Sequence, residues 1–244
     1  MKWETFEDFS LDSFDTDRWL GREQIAPDGS LWRYEEPSAW RSVSDGTFEM
    51  GVSRFEKAHD TEQRFDNAKM AYFSAQRFEL PANGILGVSA TMAAEKFGGG
   101  ADDFRDGVAS LNVVDFESGL VLDFITTGER IGAVYERLPS NSPQGFTYVV
   151  DAPLHSPPTT PGSWQNLTIT IDSGSQRARF IVGETLIYEV NGLPVMPTSV
   201  QVGLALMTLR PLSATGSTSI HGQGIVGRWR DIRVGTTTSN HDSL

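Results

Sequence analysis

The chain has 244 residues, no cysteine and a net charge of −12, from 20 basic and 32 acidic residues. With 39% hydrophobic and 21% charged residues, neither disorder nor a coiled coil fits, and the length suits one all-β domain. The acidic balance argues against nucleic acid and anionic membrane surfaces as partners, and the missing cysteine excludes disulfides and thiolate sites. The opening stretch Met1–Asp8 is acidic and has no apolar signal-peptide core. No run of about 18 apolar residues exists to span a membrane. The expectation is a cytoplasmic protein.

Alternation of apolar and polar residues, the strand period, recurs along the chain, while long helical patterns are absent. Thr47–Val52 places Phe48, Met50 and Val52 on one face. Further strands are expected near 68–80, 85–97, 107–117, 120–127, 130–138 and 146–153. Leu167–Ile171 alternates, Asp172–Ser175 turns the chain, Arg177–Val182 follows, and Gly183–Glu184 leads into Thr185–Val190. Segments near 199–210 and 224–234 bring the total to roughly a dozen, at the spacing of an antiparallel sandwich or barrel. Three loops interrupt them: a charged one at 56–67, a glycine-rich one from Phe97 to Asp103, and Leu154–Gly162, stiffened by Pro157, Pro158 and Pro161. Composition does not change across them, so residues 1–244 are read as a single domain. No long repeat suggests a propeller or solenoid.

Phe9–Asp12 through Asp17–Trp19 resembles the opening strand of concanavalin A-like sandwiches, which include the laminarinase- and LamG-like proteins. Trp164–Ile169 through Tyr188–Gly192 resembles their hairpin with the pattern W-x-x-L-x-I … V-x-G, and Trp229–Val234 their last strand, returning beside the first. Leu122–Phe124 with Arg130–Leu138 is similar to an uncharacterised bacterial family of such sandwiches. The resemblance implies an all-β fold: one concanavalin A-like β-sandwich of two antiparallel sheets. Glycoside hydrolases of this fold carry Glu-x-Asp-x-(x)-Glu on one strand of the concave sheet, where alternate side chains face the substrate. Here Asp115-Phe116-Glu117 supplies two acids before Ser118–Gly119 ends the strand, so the retaining signature is missing.

Residues 109–138 carry the richest chemistry. Reading Ser118–Gly119 and Gly128–Glu129 as two-residue turns sets Val114 opposite Asp123 and Asp123 opposite Val134. One face then holds Ser110, Asn112, Val114, Phe116, Val121, Asp123, Ile125, Thr127, Arg130, Val134 and Glu136. The other holds Leu111, Val113, Leu122, Phe124, Ile131, Ala133 and Tyr135, a better core. Asp123 and Glu136 become diagonal neighbours, about 7–8 Å apart at most between Cβ atoms, close enough to separate their pKa values. They are the candidate acid and base on a solvated cleft. Arg130 is placed to hold them ionised or to bind an anion. Asn112, Phe116, Ile125, Tyr72, Trp32 and Tyr135 are candidate substrate contacts. Tyr72 and Tyr135 are reserve proton donors, with Tyr135 on the core face.

His59, His155, His221 and His241 lie in loop-like or terminal sequence without metal-ligand spacing. Asp102–Asp106 and Asp12, Asp15 and Asp17 lack the spaced calcium-loop pattern, and turn or capping roles suit them better. Trp32, Tyr34, Trp40, Tyr72 and Phe73 are candidates for an aromatic cleft. No cofactor is expected. The first expectation for function is a cofactor-independent cyclase, isomerase or lyase of a small, largely apolar molecule. The alternatives are a carbohydrate-active enzyme or carbohydrate-binding module, and a non-catalytic interaction protein. Exposed sheet edges permit a homodimer.

Overall fold

The computed structural model describes residues 1–11, 13–25, 29, 31–56, 67–98, 103–138, 145–150, 157–209, 220 and 222–238. In chain order the strands are β1 (Lys2–Glu7), β2 (Trp19–Gly21), β3 (Glu23–Ile25), β4 (Leu31–Arg33), β5 (Ala39–Ser44) and β6 (Thr47–Val52). Next come β7 (Asn67–Ser74), β8 (Phe78–Glu79), β9 (Gly84–Phe97), β10 (Val108–Asp115), β11 (Leu120–Thr126) and β12 (Ile131–Arg137). The last are β13 (Phe146–Val150), β14 (Gln165–Asp172), β15 (Arg177–Val182), β16 (Thr185–Asn191), β17 (Ser199–Thr208) and β18 (Gly224–Thr238). There is no helix among the described residues, and so none long and apolar enough to cross a membrane.

Two antiparallel sheets form the sandwich, as the alternation requires. The first runs β16-β15-β14-β9-β18-β6-β5, with β1 also on β18, and the second β13-β12-β11-β10-β17-β7-β2, with β8 on β17. β3 and β4 form a separate hairpin. The inner faces are the predicted ones: Leu167, Ile169 and Ile171 of β14 join Leu111, Val113, Leu122 and Phe124 of β10 and β11 in one core. Each such side chain contributes about 1.5–3 kcal/mol on full burial. Phe124 meets Phe180 of β15 edge-on at 5.4 Å, joining the two sheets.

The chain ends differ from expectation. The opening strand is β1, not the segment around Phe9–Asp12, and it pairs with β18 from Lys2↔Thr236 onward. Lys2–Glu7 is largely exposed and polar, so it shows no apolar stripe. The count also exceeds a dozen: β5 adds to the expected strands, and β2, β3, β4 and β8 are only two or three residues long. Such strands fall below the window in which a period can be read.

Candidate functional site

β10, β11 and β12 are the centre of the second sheet, and they are buried on both faces. Their inner face belongs to the main core. The outer face holds Ser110, Asn112 and Val114 from β10, Val121, Asp123 and Ile125 from β11, and Val134 and Glu136 from β12. A second apolar cluster lies here: Ile125 and Val134 pack with Ala71, Phe104, Val108, Ala205, Met207 and Leu209, and Tyr34 and Phe73 lean on them. Asp123 and Glu136 are 1% and 0% exposed, and the expected solvated cleft is corrected to a buried face. Strand periodicity assigns a face but cannot foresee whether that face is covered.

Rows across this face follow from the pairing. One row runs Phe73–Gly203–Asn112–Asp123–Val134–Val149. The next runs Gln201–Val114–Val121–Glu136–Thr147. Asp123 and Glu136 are diagonal neighbours on adjacent strands, as expected. Thr147 Oγ1 donates to Glu136 Oε1 at 2.8 Å, and Ser110 Oγ lies 3.1 Å from Asn112 Oδ1, to which it donates. Neither bond was legible from sequence, because Thr147 reaches Glu136 only through the β12–β13 register.

The register of the first hairpin is corrected by two residues. Asp115 pairs with Leu120, and Asn112, not Val114, stands opposite Asp123. The connection is the four-residue loop 116–119, not a two-residue turn. Asp115 Oδ1 accepts from the Glu117 N–H at 3.1 Å and Oδ2 from the Ser118 N–H at 3.2 Å, which holds the longer loop closed. A shift of two leaves every side chain on its predicted face. The second hairpin keeps its register, with the Thr127 N–H bonded to the Arg130 carbonyl at 3.1 Å.

Ile125 lies on the outer face, but as part of its apolar packing. Phe116 sits in the loop, edge-on to Phe73 at 5.0 Å. Arg130 precedes β12, four residues or about 13 Å along the strand from Val134, and its guanidinium covers the Phe104 ring at 5.0 Å. Tyr72 and Tyr135 both face the main core, away from the acids. Burial raises the Tyr72 pKa above 10.0 and pushes that of Tyr135 up to about 12, with Tyr188 and Tyr148 adding to the latter. Neither serves as a proton donor to the outer face. Trp32 lies on the β3–β4 hairpin, with its side chain outside the described atoms.

The aromatic cleft is dispersed: Tyr34 and Phe73 support the outer cluster, while Tyr72 is in the main core. Trp40, on β5, donates to Glu49 Oε1 at 3.4 Å. His59, His155, His221, His241, Asp12 and Asp102 lie outside the described residues. Asp15 has the capping role expected, accepting from the N–H groups of Asp17 and Arg18. Among the described residues no three acids or histidines gather as a metal site.

These features define a concanavalin A-like jelly-roll sandwich with an acid pair on one sheet face. The chain belongs to a family of unknown function (DUF6081), matched over residues 6–238. No functionally curated protein is similar to it in sequence. Its fold is similar to that of an endo-1,3-β-glucanase from Streptomyces sioyaensis, at 15% identity, TM-score 0.60 and 97% coverage of both chains. It is also similar to the κ-carrageenase of Pseudoalteromonas carrageenovora, at 11% identity and TM-score 0.56, covering 96% of this chain and 94% of that one. An alginate lyase of polysaccharide lyase family 7 follows at 10% identity and TM-score 0.51, with 91% and 95% covered. The expectation of a cyclase, isomerase or lyase for a small apolar molecule is corrected here. The three solved proteins named share the fold over nearly its whole length and act on carbohydrates by name, and the apolar part of the outer face is already filled by the chain's own side chains.

Proposed function

We propose that the protein is a carbohydrate-active enzyme whose chemistry is carried by Asp123 and Glu136. The observation that supports this most is their placement: diagonal neighbours on the outer face, with Asn112 directly opposite Asp123. In a dry site a carboxylic acid and a carboxylate act strongly on a glycosidic bond, one as proton donor and the other as base or nucleophile. Asn112 orients the sugar or stabilises developing charge. The acids come from two strands, whereas the retaining hydrolases of this fold use one. β10 offers Ser110, Asn112 and Val114 at the alternating positions, and β11 offers Val121, Asp123 and Ile125. The mechanism is therefore a two-acid one without the third carboxylate.

A second reading, binding without cleavage, is favoured by the burial of both acids beside an apolar cluster. One experiment separates the two. The full chain is incubated with a panel of β-glucan, carrageenan and alginate oligosaccharides, and products are followed by chromatography beside calorimetric binding. Cleavage of any member supports the enzyme, binding alone supports the module, and neither outcome across the panel removes the carbohydrate reading.

A further inference from the structure

At one edge of the sandwich, β2 and β7 of the second sheet, β5 of the first and the β3–β4 hairpin line an open pocket of about 280 Å³. Arg22, Arg33 and Arg41 line it together with Glu23 and Glu35. Arg33 is neutralised by Glu23 at 2.7 Å. Arg22 and Arg41 have no carboxylate within ion-pair distance among the described residues. Each is held by aromatic rings. The Arg22 guanidinium lies 4.3 Å over Phe116, and that of Arg41 lies 5.3 Å from Phe14 and 5.2 Å from Tyr72. Arg41 also donates to the Tyr72 hydroxyl. The Arg22 backbone is fixed as well, its N–H bonded to the Ala71 carbonyl at 3.0 Å and its carbonyl to the Tyr34 N–H at 3.1 Å.

Stacking orients a guanidinium while leaving N–H groups of its fork for an anion. With Glu23 and Glu35 counted against Arg22, Arg33 and Arg41, the pocket keeps a net positive charge in a chain whose net charge is −12. The volume is just below the usual ligand-pocket range, which starts at about 300 Å³, and so suits at most a single sugar unit. The overall acidity disfavours a long polyanion. Ala71 lines the pocket and also belongs to the outer cluster beside the acid pair. β7 and β11 are three strands apart, or about 14 Å at the spacing of a sheet.

We infer that this pocket is a subsite for an acidic sugar unit, one bearing a carboxylate or a sulfate ester. The inference rests on the carbohydrate reading above and names its substrate class. The pocket selects the substrate, and the acid pair reacts with it.

The test is an NMR titration of the full chain with glucuronate, a glucose sulfate ester and glucose, following the backbone amides of Gly21, Arg22 and Tyr34. At least one acidic sugar should bind about tenfold or more tightly than glucose, as expected for charge-assisted hydrogen bonds. The preference should vanish in Arg22→Gln and Arg41→Gln and persist in Arg33→Gln. Arg22→Gln leaves both backbone bonds in place, so it remains informative if Arg41→Gln folds poorly. Preference for one acid over the other identifies the group read and supports the subsite. Equal binding of all three sugars, or of none, overturns it. So does inorganic sulfate binding as tightly as the sugar acids, because the pocket would then read charge alone. An acid preference lost in Arg22→Gln, with turnover unchanged in Asp123→Asn and Glu136→Gln, keeps the subsite and removes the proposed acid pair. The opposite pattern keeps the pair and removes the subsite.

Discussion

Asp123 and Glu136 lie diagonally across adjacent antiparallel strands of one sheet face, buried together, with Thr147 fixing one oxygen of Glu136 at 2.8 Å. An acid or base so placed contributes typically about 10²–10⁴-fold to a rate. Asp123→Asn and Glu136→Gln are each expected to lower turnover of a cleaved oligosaccharide by about that factor. Gln can still accept from Thr147, so melting temperature should move far less than activity. Steady-state kinetics beside thermal melts checks this, and full turnover in both variants would sink the assignment.

Gly203 separates Phe73 from Asn112 in the same row. A Cβ at this position would lie 2.4 Å from Phe73 Cε1 and 3.0 Å from Asn112 Cβ. Gly203→Ala must therefore push the Phe73 ring, which is itself seated on Phe116. Overpacking of this kind costs about 1–3 kcal/mol. Urea denaturation should register that loss, while a midpoint equal to that of the parent chain would mean that the ring has room to move.

The face assignments of β10–β12 were legible because alternation fixes them even when pairing slips by two, as it did at the Asp115 loop. The slip itself was not legible: it depends on a carboxylate capturing two loop N–H groups, a choice that Ser118–Gly119 does not reveal. Burial of Asp123 was equally hidden, since alternation assigns a face without saying whether it is covered. The Arg22–Arg41 pocket carries no sequence signal at all. It exists because β2 and β5, edge strands of different sheets, come together around one cavity.

Tyr135 gives a pH prediction. Burial is the main cause of its elevated pKa of about 12, against 10.0 for the free side chain. The unfolded chain releases this proton first, so the folded state binds more protons between those values. Stability from Tyr135 is then fully present below pH 10 and is lost as pH rises towards 12. Tyrosinate absorbance of the folded protein should show a late-titrating group that Tyr135→Phe removes. The variant should also lose stability less steeply over that range. Titration of every tyrosine near 10 would contradict this.

Lys69 and Glu36 form an ion pair at 3.5 Å with both side chains fully buried. Lys69 also lies 5.6 Å from the Phe55 ring, while Glu36 Oε2 accepts from the Glu56 N–H at 2.8 Å. Removing one partner takes an opposite charge away from a fully buried one, at a cost of about 3–5 kcal/mol. Glu36→Leu and Lys69→Met are each expected to lose stability on that scale. Replacing both partners relieves the stranded charge, which by itself is often neutral or stabilising. The Glu56 N–H still loses its acceptor in Lys69→Met/Glu36→Leu, at about 1–3 kcal/mol. The double variant should therefore be more stable than either single one and still fall short of the parent chain. Chemical denaturation of the four proteins as a double-mutant cycle measures the coupling. Strictly additive losses would mean that the pair contributes nothing beyond the separate packing of its two side chains.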